Sequence, residues 1–124
     1  MHTYNNTDST ENLRGSNGDV FREDCPAREM LDVLASKWTL LILHALGKGP
    51  ARTGALRRKI EGISEKMLLQ TLKELEHYSL VTRTVFTLKP LHVEYELTHK
   101  GQSLCSIVKS LDAWVEDHAG SHNS

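Results

Sequence analysis

Apolar positions in this chain keep a three-four helical rhythm for most of its length and turn to alternation only around one proline. Met30, Leu31, Val33 and Leu34 predict a short first helix beginning at Cys25-Pro26, where proline suits the first helical position. The rhythm is clearest from Lys37 to Leu46. There Trp38, Leu41, Ile42, Ala45 and Leu46 predict a second helix with one buried stripe. Gly47-Lys48-Gly49-Pro50 ends it, since glycine suits the left-handed cap and proline cannot continue the turn. Thr53 caps a third helix through Ile60, with Leu56 and Ile60 inward. Gly62 makes the next turn, and Ser64 caps a fourth helix carrying Met67, Leu68, Leu72 and Leu75.

Alternation follows at once. Thr82 to Leu88 and His92 to Leu97 predict two strands separated by Lys89-Pro90-Leu91. In the second, Val93, Tyr95 and Leu97 alternate with His92, Glu94 and Glu96, giving one buried face and one wet. Thr98 then caps a last helix, on which Leu104, Ile107, Val108, Leu111, Trp114, Val115 and His118 recur at three- and four-residue steps. That stripe either packs on its own domain or meets a partner subunit, and its length favours the partner. Helices with a hairpin directly behind the fourth make a mainly α fold with a small β wing, an α+β winged helix-turn-helix. It is expected over residues 25–118, with a disordered arm over 1–24 and a flexible tail over 119–124.

On the fourth helix, Ser64, Leu68, Thr71, Leu72, Leu75 and Ser79 fall on one side, expected to face the core. Lys66, Gln70, Lys73 and His77 lie opposite, with Met67 and Leu69 on the flanks. Lysine there can meet phosphate or guanine, and glutamine can make paired hydrogen bonds to adenine. A solvated helix face uses the same residue types; the hairpin behind it is what favours DNA. Arg83, Lys89 and His92 lie where a wing meets phosphate, and Arg52 is a flank contact. The plainer alternative is a soluble ribbon edge with a lysine at its tip.

A net charge of −1 conceals segregation. Residues 1–36 hold three Lys/Arg against seven Asp/Glu, residues 37–92 ten against four, and residues 93–124 two against five. The basic excess sits on the helix–hairpin segment, which suits a polyanionic partner. A chain of 124 residues allows one modest core, and dimerising would add to its stability. The polar N-terminal stretch lacks the apolar run of a signal peptide, and no apolar stretch approaches the ~20 residues of a membrane span. A cytoplasmic protein is expected, with Cys25 and Cys105 as reduced thiols.

Cys25-Pro26, Leu31-Asp32, Lys37-Trp38-Thr39-Leu40-Leu41-Ile42-Leu43, Gly62-Ile63-Ser64-Glu65-Lys66-Met67-Leu68, Leu72-Lys73-Glu74-Leu75-Glu76, Val93-Glu94-Tyr95-Glu96-Leu97-Thr98 and Gly101 follow one another in a recognisable order. They resemble the HxlR-type transcriptional regulators, bacterial and archaeal winged-helix proteins related to the MarR class, over about residues 25–118. The resemblance implies a homodimer through the first and last helices, with Leu31, Leu104, Ile107, Val108, Leu111 and Trp114 at the interface. It implies double-stranded DNA as partner, each subunit reading half of a palindromic operator. Recognition roles fall on Ser64, Lys66, Leu69, Gln70 and Lys73, and wing roles on Arg83 and the residues about Pro90. There are departures. The family usually has Arg-Phe-Ser-Glu-Leu where this chain has Arg52-Thr53-Gly54-Ala55-Leu56. Ser79 stands where a glycine is expected, and the common double proline of the wing is Pro90-Leu91.

The family includes thiol-based sensors of quinones, aldehydes and oxidants, whose sensing cysteine matches Cys25 in position. At the N-cap of the first helix a thiolate is favoured by the helix dipole and opposed by Glu23 and Asp24. An inert small hydrophobe is the alternative. Cys105 reads as core, and as a second thiol that a disulfide across the dimer would need within about 7 Å between Cα atoms. Of seven histidines only His118 and His122 share the helical i, i+4 spacing, with no third ligand, so no metal is expected. His44 reads as a satisfied interior group. No cofactor motif, nucleophile elbow, phosphate-cradling glycine loop or paired carboxylate motif appears, so catalysis is not expected. Two classes remain: a sequence-specific regulator gated by a small electrophile or ligand, and a winged-helix module for protein contact whose basic face is merely solvated.

Overall fold

A computed structural model describes residues 18–121. The chain divides between Ser36 and Lys37 into two units. In the first, helix α1 (Pro26–Leu34) starts from Cys25, whose extended backbone makes it the N-cap while its thiol makes no capping bond. The preceding turn is tied in by Arg28 Nη1, which donates to the Val20 carbonyl at 3.3 Å. Of the expected arm, residues 1–17 lie outside the described residues.

The second unit holds α2 (Lys37–Leu46), α3 (Thr53–Lys59), α4 (Glu65–His77), β1 (Val81–Phe86), β2 (His92–Leu97) and α5 (His99–Ser121). Helix α2 is central, packing on α3, α4, α5 and β2. It buries Thr39, Ile42, Leu43 and Leu46. The expected stripe is therefore turned: Trp38 is half-buried and Leu41 is 38 % exposed. The run Leu40 to Leu43 is apolar on every side, so spacing alone could not choose its inner face.

Helix α3 is capped one residue earlier than expected. Ala51 exchanges backbone hydrogen bonds with Tyr95 at 2.9 and 2.8 Å, which leaves Arg52 as the last extended residue and Thr53 as the first helical one. Leu56 and Ile60 point inward as expected. Gly62 turns the chain at φ +91°, and Ser64 Oγ accepts the Met67 N–H at 3.0 Å to start α4. Helix α4 buries Leu68, Thr71, Leu72 and Leu75. Ser64 and Ser79 are exposed instead, one because it caps the helix from outside and the other because it lies past its end.

The strands pair antiparallel from Val81↔Leu97 to Phe86↔His92. Tyr95 and Leu97 are buried while Val93 is half-buried, and β1 ends at Phe86, earlier than the alternation suggested. The root of the hairpin is clipped to α5. Thr98 Oγ1 donates to the Ser79 carbonyl at 2.7 Å and accepts the Gly101 N–H at 3.0 Å. A Cβ at Gly101 would collide with the Leu80 carbonyl oxygen, so glycine is what lets α5 approach this corner. Lower down, His44 Nδ1 lies 2.6 Å from Asp112 Oδ2, joining α2 to α5. His44 is thus satisfied, but it is half-exposed rather than interior. Helix α5 runs on through Ser121, into the stretch expected as a tail.

Candidate nucleic-acid interface

Four buried side chains hold α4 by its inner face, which fixes what it turns outward: Ser64, Lys66, Leu69, Gln70 and Lys73 are all exposed. Lys66, Gln70 and Lys73 have neither side-chain hydrogen bonds nor ion pairs among the described residues, so all three are free to meet a ligand. Of its carboxylates, Glu65 reaches Arg57 on α3 at 3.7 Å. A helix with a rigid back and an unpaired polar front can follow a major groove and offer donors to base edges.

Arg83 and Lys89 are exposed on the hairpin, and Arg52 at the start of α3. His92 is placed differently from a free phosphate contact. Its ring stacks on Phe86 at 4.7 Å between centroids, Nδ1 lies 2.8 Å from the Pro90 carbonyl oxygen, and Nε2 lies 3.1 Å from Glu94 Oε2. It braces the hairpin tip. The cleft beside α3 is lined by Arg52, Arg58, His92 and Glu94 among others. Sequence reading passed over Arg57, Arg58 and Lys59, which form the basic last turn of α3 and are exposed. The signal in the sequence is the unbroken run of three cations.

On α5 the apolar stripe splits. Val108 is 2 % exposed and so serves this subunit's own core, while Leu104 is half-buried. Ile107, Leu111, Trp114 and Val115 remain exposed, Trp114 with 59 % of its surface open and its ring stacked on His118 at 4.1 Å. Leu31 is exposed on α1. Both cysteines are free and buried, and Cys105 Sγ donates to the Leu43 carbonyl at 3.3 Å. Among the described residues no group of three or more metal-ligating side chains converges; His122 lies outside them. None of the described helices is long and apolar enough to cross a membrane.

A helix pair, a reading-type helix with an open polar face and a hairpin clipped behind it define a winged helix-turn-helix protein. The family model described as HxlR-like helix-turn-helix matches residues 33–123, and the chain belongs to that family. The uncharacterised HTH-type transcriptional regulator YtfH of Escherichia coli is 46 % identical over 99 residues, covering 80 % of this chain and 79 % of its own. The structure of the transcriptional regulator YtfH from Salmonella typhimurium aligns with a TM-score of 0.78 at 42 % identity, over 84 % of this chain and 93 % of that one. The redox regulator HypR in its reduced form aligns with a TM-score of 0.69 at 33 % identity, over 79 % of this chain and 97 % of that one. The chain is a transcriptional regulator with a DNA-binding helix-turn-helix fold, and not an enzyme.

Proposed function

We propose that the protein binds a palindromic operator as a homodimer, α4 of each subunit reading one half-site. The observation that carries this is the free outer face of α4, with Lys66, Gln70 and Lys73 unpaired over a fully packed inner face. Ser64 and Leu69 complete that face; Arg52, Arg83 and Lys89 hold the flanking phosphates, and His92 supports the hairpin that carries Lys89. The uncovered residues of α5 supply the self-association surface, and the exposed Leu31 of α1 a separate apolar contact. Selection from a pool of random duplexes tests the reading. A two-fold symmetric site should be recovered, bound with an affinity that falls linearly on a log–log plot against salt. No enrichment at low salt contradicts it and favours a protein-contact module.

The redox regulator among the structural relatives favours a thiol switch at Cys25 as the gate. Cys25 is only 3 % exposed, so a quinone or peroxide reaches the sulfur through local opening of its segment. Addition there introduces bulk at a packed position. Treated parent protein should lose operator affinity while treated Cys25→Ser does not. Equal responses in the two place the gate elsewhere, with a ligand bound non-covalently.

A further inference from the structure

The end of α2, strand β2 and α5 border a cavity of about 320 Å³, away from the residues assigned to DNA. Its frame is fixed on both sides. Cys105 Sγ donates to the Leu43 carbonyl at 3.3 Å, and a Cβ at Gly47 would lie 2.7 Å from that sulfur. Glycine is therefore what lets α5 close on the end of α2. The loop that follows is anchored at its near end by the Gly49 N–H, which donates to the Leu46 carbonyl at 3.0 Å. Its far end is anchored by the paired backbone bonds of Ala51 and Tyr95. Lys48 stands between these anchors.

The charged groups around the cavity are two cations and one carboxylate, and they do not satisfy one another. Lys48 comes from the loop, Glu96 from β2, and Gln102 and Lys109 from α5, where they lie two helical turns apart on one face. All four side chains are exposed, and none has a hydrogen bond or ion pair among the described residues. Leu46, Leu97 and Cys105 line the same cavity and are buried. Two free ammonium groups suit a carboxylate. A phosphate or a dicarboxylate would bring further negative charge against Glu96, whereas a ligand with a cation beside its carboxylate would complement it. The volume lies near the lower end of the range for small-molecule sites, and the apolar lining is short. A free α-amino acid has these parts.

We infer that this cavity binds a small α-amino acid, its carboxylate between Lys48 and Lys109, its ammonium at Glu96 and its side chain over Leu46, Leu97 and Cys105. Gln102 donates to the same carboxylate. Helix α5 carries the site on one face and the uncovered Ile107, Leu111 and Trp114 on its exposed surface, so occupancy bears on the helix through which the subunits associate. That consequence rests on the dimeric reading proposed above; the binding itself does not.

The test titrates the full chain, free of DNA, with each of the common L-amino acids by calorimetry and follows backbone amide shifts by NMR. At least one amino acid with a short uncharged side chain should bind saturably and shift the amides of Gly47, Gly49 and Gln102. Its N-acetyl and carboxamide forms should bind roughly tenfold more weakly or worse, since each lacks one charged contact. Lys48→Gln/Lys109→Gln should lose the same factor or more, with Tm unchanged because both lysines are exposed. Glu96→Gln should bind the free and N-acetyl forms alike. Failure of every amino acid to bind overturns the inference, as does a double lysine variant that binds like the parent. Equal binding of the N-acetyl form by the parent marks a general anion site and overturns it too, as do shifts confined to residues away from the cavity. Saturating amino acid should change operator affinity severalfold in the parent and not in the double lysine variant. An unchanged affinity overturns the coupling to DNA. Absence of any operator overturns the reading by α4, and the titration of the free protein still decides the site.

Discussion

Ser79 sits at φ 62°, in the left-handed region that costs a residue with a Cβ about 1 kcal/mol or more. It lies just past the end of α4, where a helix commonly closes on glycine. Ser79→Gly should therefore stabilise the fold by about 1 kcal/mol, seen as a rise of several degrees in Tm; an unchanged or lower Tm contradicts the reading of this corner. Gly101 is the opposite case. Its Cβ-free surface lies against the Leu80 carbonyl, so Gly101→Ala should cost more than about 2 kcal/mol in a urea titration, through a backbone clash that no side-chain rotation relieves. The Ser79 position was legible beforehand as a departure from a family pattern. The Gly101 contact was not, because it reaches Leu80, distant in sequence, through a backbone atom that no side-chain periodicity reports.

At the scale of elements, legibility followed contrast. Helix α4 alternates apolar and polar faces, so Leu68, Leu72 and Leu75 could be assigned inward from spacing alone. Helix α2 has little contrast from Leu40 to Leu43, and its inner face is chosen by what packs on it. Helix α5 buries Val108 and leaves Ile107 and Trp114 exposed, a division that three- and four-residue spacing alone does not draw. The bond from His44 to Asp112 connects α2 to α5 over a span in sequence that no local pattern announces. A double-mutant cycle of His44→Ala and Asp112→Ala should give a coupling of about 1 kcal/mol in unfolding free energy. Additive single effects would mean that the pair contributes nothing to holding α5.

For the molecule as a whole, charge and apolar surface are segregated in the same sense. The basic excess lies on the segment from α2 to the hairpin, and the bare apolar stripe lies on α5. A dimer formed through α5 leaves the basic segments of both subunits for one duplex. Trp114→Glu should convert a dimer at micromolar concentration to monomer in sedimentation velocity and weaken operator binding strongly, because a single half-site supplies only part of the contacts. A parent protein that sediments as a monomer at high concentration contradicts this arrangement. The outer face of α4 and the charge balance were legible from sequence. The bracing of His92 was not, since it depends on a ring, a carbonyl and a carboxylate brought together by the hairpin.

Gln70 is the residue through which reading of bases by α4 can be measured. Parent, Gln70→Ala and Lys73→Ala are titrated against the selected operator and a set of duplexes with each half-site position substituted in turn. Gln70→Ala should lose about 1–3 kcal/mol of discrimination at one position of each half-site and keep the rest. Lys73→Ala should weaken binding to every duplex alike and flatten the salt slope by about one unit. Variants that keep parental affinity, base preference and salt slope while remaining folded remove α4 from the reading surface.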